Sequence, residues 1–460
     1  MRVRGSLALC AVVTVAGCNV DERAEVDRYR SVLDRGTHDT ELASAAEPLS
    51  VTDAMLAANR LNESLGIEGE AYLRSIIDQR RAVAAFLPTL TLAPSYQLRE
   101  NTGSGRNSAF DTPLDAGLEL NPVRDTARLG AAEETIAERR ALLLVAQDSL
   151  LIDVARVYYE VVRAERAVVV LTASLGVQQE RVSDSRARLE AGLVSPLDLS
   201  LSESQASQTE VDLIIARTRV REARVLLAFL TASEVGERVV DDRLEPPAEF
   251  PALEELVAAA QRNRQDAAAA ARRIDAALKT VESAYGQYYP SISVDLQIFL
   301  QRESEPRDLD WTSLIRISLP LFSAGLIEAD VRESLSLLRE ARLRESLTLR
   351  QIRSDVETAV NNLNASHERV RQLMVQVRSA GDALTQSEGL YAVGLATNLE
   401  RLTAQNALLS AELQLVNAEL DTKVFYLDLL RTTGRLHELI GLDRGPEAPV
   451  EARGGRAEAR

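Results

Sequence analysis

A hydroxyl and a carboxylate stand three residues apart at two matching places, Ser195-x-x-Asp198 and Thr397-x-x-Glu400. That spacing suits reciprocal capping of a helix start. The hydroxyl accepts from the amide three residues on, and the carboxylate accepts from the amide of the hydroxyl residue. Ahead of each pair lies a short break, Gly192-Leu193-Val194 and Gly394-Leu395-Ala396. Glycine fits the left-handed position that ends a helix, and Pro196 fits the first position of the next. Asp198 and Glu400 then fall in a first helical turn, where the helix dipole favours negative charge. Other reactive residue types are sparse. His38, His367 and His437 are scattered, without metal-ligand spacing. No catalytic set and no metal site is read from the chain. Beyond Met1 the methionines are Met55 and Met374, which support no metal relay.

Cys18 is the residue whose chemistry its neighbours declare. Arg2 and Arg4 precede an apolar run from Leu7 to Ala16, too short to span a bilayer and patterned as a signal peptide. The run ends in Val15-Ala16-Gly17-Cys18. This resembles a bacterial lipobox, which implies cleavage before Cys18 and acylation of its sulfur and amine. By the same resemblance Asn19 favours outer-membrane export over inner-membrane retention. Cys10 falls in the removed segment, so no disulfide framework is available. Apart from the covalent lipid, no cofactor is expected.

Composition narrows the class. The chain has 460 residues, 46% of them hydrophobic and only 4% aromatic, which suits long Ala/Leu/Val helices. A net charge of -16 excludes phosphate binding as a main role, so no nucleic-acid partner is expected.

A self-similarity at an offset of 202 organises the rest. It carries Gly192 onto Gly394, Pro88 onto Pro290, and Phe86-Leu87-Pro88-Thr89-Leu90 onto Tyr288-Tyr289-Pro290-Ser291-Ile292. The expected divisions are a signal peptide over 1–18, a charged extension over 19–48 and a first repeat over 49–235. A connector over 236–250, a second repeat over 251–440 and a disordered tail over 441–460 complete them. Each repeat reads as short helix, helix, two strands, long helix, break, long helix.

Strict alternation marks four strands. Leu90, Leu92, Tyr96 and Leu98 alternate with Thr89, Thr91, Ser95 and Gln97. Leu114, Ala116, Leu118 and Leu120 alternate with Asp115, Gly117 and Glu119. In the second copy Ile292, Val294, Leu296 and Ile298 alternate with Ser293, Asp295 and Gln297, and Ile315 and Ile317 with Arg316. A strand of roughly ten residues crosses a bilayer at a tilt. Residues 99–113 and 301–310 read as polar outer loops. Four strands cannot close a barrel, so a membrane reading needs several chains to share one; three would give twelve strands. Asp115, Glu119, Asp295 and Arg316 would then line the lumen. Heptads through Val154, Val161, Val168, Leu175, Val182 and Leu189, and through Leu413, Leu420 and Leu427, call for coiled-coil packing. A helix of about 65 residues would be roughly 100 Å long.

Order, spacing and duplication together resemble the TolC-like outer membrane factor family over about residues 48 to 440, in its lipoprotein branch. The motifs are FLPTLTL, YYPSISV, LPLFSAG, AGLVSPLDL and VGLATNL. The first copy departs from the fuller LPLFSAG form with NPVRDTARLG. The resemblance implies a mixed, mainly α fold. Duplicated helical hairpins would form a periplasmic α-barrel, and four transmembrane strands per chain would join a shared trimeric twelve-stranded β-barrel. It implies a passive, gated exit duct of a tripartite efflux or type I secretion system in the outer membrane. The partners implied are a homotrimer, a periplasmic adaptor, an inner-membrane transporter and outer membrane lipid. It places Gly192, Leu193, Val194, Ser195, Gly394, Leu395, Ala396 and Thr397 at adaptor-contact tips, and Asp198 and Glu400 at a gate. Rival classes are a periplasmic adaptor, which would have one hairpin and compact β domains, and a structural coiled-coil lipoprotein.

Overall fold

The computed structural model describes residues 21–37, 48–101, 105–236, 238–247 and 250–444. Cys18, His38 and the chain beyond 444 lie outside the described residues. The two copies follow the same order of helices and strands. The first holds β1 (Leu49–Ser50), α2 (Val51–Leu61), α3 (Glu63–Ala84), β2 (Thr89–Leu92), β3 (Ser95–Asn101), β4 (Gly105–Leu120), α4 (Pro122–Glu190) and α5 (Pro196–Thr231). The second holds α6 (Leu253–Asn263), α7 (Gln265–Gly286), β6 (Ser291–Gln301), β7 (Trp311–Ser318), α8 (Leu326–Ala392) and α9 (Asn398–Thr432). Helix α1 (Glu22–Leu33) precedes both, and β5 (Val240–Asp241) lies between them.

Helices α4 and α8 run for 69 and 67 residues, each roughly 100 Å at 1.5 Å per residue. They stay continuous because nothing interrupts them: no proline occurs between their first turns and the breaks. The heptad seams are buried where they should be. Leu151, Val154, Tyr158, Val161, Leu420 and Leu427 are fully covered and join α1, α2 and α3 in the largest core cluster. Farther along, Val168 and Leu175 meet Leu213, Leu409 and Leu413 across α4, α5 and α9.

The sheet runs in the order β2-β4-β6-β7, antiparallel throughout, with β3 also on β4. Paired residues share a face, so the registers Asp115↔Gln297, Gly117↔Asp295 and Glu119↔Ser293↔Arg316 put all four charges on one side. Leu118↔Val294↔Ile315 lies on the other. The apolar side is bare: Leu90 is 69% exposed and Ile317 also 69%. Gln297 Nε2 donates to Asp115 Oδ1 at 2.7 Å across the polar side.

Several sequence expectations need correction. The first strand is broken at Ala93-Pro94, because proline has no amide to give the ladder; Ala93 still donates to the Pro113 carbonyl at 3.1 Å. Residues 99–113 are mostly not a loop, since Ser95–Asn101 pairs with Gly105–Asp111 in an extended hairpin. The extension is not merely charged: Tyr29 and Leu33 of α1 are buried. Nor does a tail begin at 441, because Leu442 is buried and Arg444 Nη1 donates to Asp148 Oδ2 at 2.9 Å. The connector is also pinned. β5 pairs in parallel with β1, and the Tyr158 hydroxyl sits 2.8 Å from the carbonyls of Leu49 and Asp241. Buried Asp242 accepts from Arg166 at 2.8 Å and Lys423 at 2.7 Å.

Candidate functional site: the paired helical tips

The two breaks lie side by side at the end of the molecule opposite the sheet. In each, the long helix ends the same way. Gly192 and Gly394 adopt φ of 74° and 78°, a region costly for residues with a Cβ. The Leu193 amide donates to the Arg188 carbonyl at 2.9 Å, and the Leu395 amide to the Leu390 carbonyl at 2.8 Å. These six-to-one bonds satisfy the last carbonyls. Ser195 and Thr397 then cap the return helices with the same backbone angles, φ -86° and ψ 157°. Asp198 Oδ2 accepts from the Ser195 amide at 3.1 Å, and Glu400 Oε2 from the Thr397 amide at 2.7 Å. That amide, with the Thr397 hydroxyl, holds the Glu400 carboxyl below its ordinary range.

The tips therefore consume their polar atoms internally. What they leave in solvent is apolar: Leu193 is 74% and Leu395 76% exposed, with Leu197 and Leu399 beside them.

Behind the tips the packing changes character. Midway along the long helices the coiled coils are held by Leu, Val and Tyr. Near the tips most buried positions are polar, Gln178, Ser185, Ser202, Gln405, Asn398 and Arg401, with Leu402 among them. Asn398 is 2% exposed and bridges the hairpins. Its Nδ2 donates to the Asp198 carbonyl at 2.9 Å and to Ser202 Oγ at 3.1 Å. Its Oδ1 accepts from Arg401 Nη2 at 2.8 Å. The Arg401 guanidinium lies 4.2 Å from the Tyr391 ring centroid, with Arg188 at 5.3 Å. One turn away Arg181 donates to both Gln405 and Glu388, again from one hairpin to the other. Buried polar links of this kind are directional, so they specify one arrangement and fail together when it is lost.

Asp198 and Glu400 were the acids the sequence singled out here, and both sit in their caps. Asn398, Arg401 and Tyr391 were missed. A search for repeats hides them, because at the offset of 202 they face Pro196, Leu199 and Leu189. The departure from the repeat was the available signal. Among the described residues no His/Cys/Asp/Glu group could hold a metal ion, and no helix is long and apolar enough to cross a membrane.

A sheet with a bare apolar face, continued by two long helical hairpins, is the architecture of a duct. The family model described as "Outer membrane efflux protein" matches residues 69–233 and 256–435. The chain belongs to the outer membrane efflux protein family. It is 26% identical over 439 residues to the outer membrane efflux protein BepC of Brucella suis, covering 92% of this chain and 93% of that protein. It is 24% identical over 393 residues to the outer membrane protein TolC of Vibrio cholerae, covering 81% and 89%. A membrane protein structure from Pseudomonas aeruginosa aligns with a TM-score of 0.77 at 18% identity, over 87% of this chain and 98% of that one. As an outer membrane efflux protein the chain is an exit duct: the strands lie in the outer membrane and the helical hairpins extend into the periplasm. The paired tips are then the duct's periplasmic end. The rival readings fail on the fold, which has two hairpins and a strand pair in each copy.

Proposed function

We propose that three copies of this chain assemble into one duct, the outer-membrane stage of a tripartite system. The sheet carries this reading. It is apolar on one face and ends in two unpaired edges, β2 and β7. Open edges are not tolerated in lipid. With β2 and β3 counted as one strand interrupted at Ala93-Pro94, each chain brings four; joining β7 of one chain to that strand of the next removes every edge, and three chains complete a twelve-stranded barrel. The helices favour the same closure. α7 lies between α4 and α8, whereas its counterpart α3 has only α4 among the long helices. Ile67 and Ile77 on α3, and Leu343 and Leu347 on α8, are left exposed for a neighbouring chain to cover.

The duct performs no chemistry of its own. An inner-membrane transporter supplies the energy, and a periplasmic adaptor connects the two. The adaptor meets the tips at Gly192–Ser195 and Gly394–Thr397, through the apolar surface of Leu193 and Leu395. Lipid on Cys18 anchors each chain to the outer membrane. The periplasmic end is gated. Asn398, oriented by Arg401, and Arg181 hold the two hairpins of a chain together, while Asp198 and Glu400 set the helix starts and the negative charge at the mouth. Asp115, Glu119 and Asp295 against Arg316 leave the lumen face acidic. Native mass spectrometry of the detergent-extracted protein tests the assembly. Three chains per particle are expected; a monodisperse monomer overturns the shared barrel.

A further inference from the structure

The corner where the last strand of each copy enters its long helix differs between the copies, and the difference matches what each corner meets. In the first copy β4 enters α4 through Asn121-Pro122. Because β4 pairs with β6, this corner lies on the one where α7 enters β6. Asn121 Nδ2 donates to the carbonyls of Gly286 at 2.9 Å and Tyr289 at 3.1 Å. A Cβ added to Gly286 would overlap the Arg124 backbone, so glycine is what lets the two corners close this far. Ser283, Ala284 and Gly286 are all buried there.

In the second copy β7 enters α8 through Leu319-Pro320-Leu321-Phe322-Ser323-Ala324-Gly325. The offset is 198 at Pro122 and Pro320 but 202 at Gly192 and Gly394, so this corner is four residues longer. It has no amide side chain to match Asn121, and its helix is capped by Gly325 without a side-chain bond. The turn is nonetheless defined. Ala324 and Gly325 take φ of 53° and 85°, and the Leu326 amide donates to the Ser323 carbonyl at 3.0 Å. It leaves Leu321 and Phe322 each 90% exposed, the barest large apolar side chains among the described residues.

The surface equivalent to the Gly286 seat is bare too. At the offset of 202, Gly286 and Tyr289 become Ala84 and Leu87, where α3 enters β2. Ala84, Leu87 and the adjoining Val83 are all exposed. We propose that these two bare surfaces mate across the chain boundary: Leu321 and Phe322 of one chain key onto the Val83–Leu87 corner of the next. This rests on the shared duct proposed above, in which pairing β7 with the next chain's β2 brings the two corners together. Ala84 carries the Cβ that Gly286 lacks, so these corners stand farther apart, and the longer turn with its larger side chains fills the gap. The Asn121 amide needs the Gly286 and Tyr289 carbonyls at close range, and the apolar key needs Leu87. Neither can take the other's seat, so the two corners fix the alternation of first and second copies around the ring.

The test uses the full chain. Leu87→Cys with Phe322→Cys, oxidised in the membrane, should give covalently linked two-chain and three-chain bands on a denaturing gel, and neither single variant should. Leu321→Ser with Phe322→Ser changes side chains that bury almost nothing within one chain. It should lower the three-chain fraction in native mass spectrometry at least tenfold. Phe322→Trp in a Trp311→Phe background reads the competing occupant, lipid, and its fluorescence should be quenched less than twofold by spin-labelled phospholipid. A missing crosslink, or a three-chain fraction within twofold of wild type in the serine variant, would overturn the key while a three-chain wild type keeps the shared duct. Strong lipid quenching of the Phe322→Trp variant would overturn it in favour of a membrane anchor. A wild-type monomer would overturn both the key and the duct.

Discussion

Replacing Asn398 with Ala cuts the side chain that ties the two tips of one chain. It removes donations to the Asp198 carbonyl and to Ser202 Oγ, and the acceptor of Arg401. Neutral hydrogen bonds are worth about 1 kcal/mol each net, and one from a charged donor about 1.5–3 kcal/mol. The bond to Arg401 lies within α9, so only the two neutral donations join the hairpins and their gross loss is about 2 kcal/mol per chain. Water entering the opened site restores part of it, leaving a net of about 1 kcal/mol. That is roughly a fivefold shift toward separated hairpins. Single-channel recording in planar bilayers reads it as a higher open probability and a larger mean conductance. Arg401→Ala should act in the same direction and less strongly, because it frees the Asn398 amide that Arg401 orients. Asn406→Ala breaks one outlying bond to Gln205 and should have a smaller effect. If Asn398→Ala and Arg401→Ala both fold and keep wild-type conductance and open probability within twofold, these residues do not hold the tips.

Other outcomes follow from the same geometry. The folded-state pKa of Glu400 is depressed by the Thr397 amide and hydroxyl. Its cap is therefore complete above the ordinary carboxylate range near 4.3 and is lost as pH falls below it. Amide exchange in the first turn of α9 should quicken at pH 3 relative to pH 6, and Glu400→Gln should flatten that difference. Burial, and then Arg444, depress His437. Its contribution is present above the unfolded value near 6.5 and is lost as pH falls through the folded one. Thermal melts should drop between pH 7 and pH 5.5, less so in His437→Gln. Asp198→Ala and Glu400→Ala should each loosen a helix start, and unchanged conductance and cation block in both would remove these acids from the gate. Leu193→Ser with Leu395→Ser should abolish efflux in cells while three-chain assembly persists; intact efflux would move the adaptor contact elsewhere.

Much of this fold is legible before any coordinates. Alternation reveals β4, β6 and β7 because one face must meet an apolar phase while the other carries Asp115, Asp295 and Arg316. The absence of proline and the sevenfold seams reveal α4 and α8. The caps are legible because glycine, hydroxyl and carboxylate each answer a local backbone need. What stays hidden depends on neighbours distant in sequence. Helix α1 offers only Tyr29 and Leu33 as buried apolar residues in a charged segment, so its place is decided by glycines on another helix. Strand β3 is invisible beyond Leu98, because its pairing partner rather than its own pattern makes it a strand. Asn398 and Arg401 read as surface polar residues until the first hairpin is brought against them.

The account stands or falls on whether this chain makes a water-filled duct. Purified protein reconstituted in a planar bilayer should give stable unitary conductance. It should prefer cations, because each chain turns three carboxylates (Asp115, Glu119, Asp295) and one guanidinium (Arg316) to the polar face of the sheet. Lumen variants Asp115→Asn and Asp295→Asn should weaken that preference. A three-chain assembly that inserts but carries no current under any gating variant would contradict the central claim.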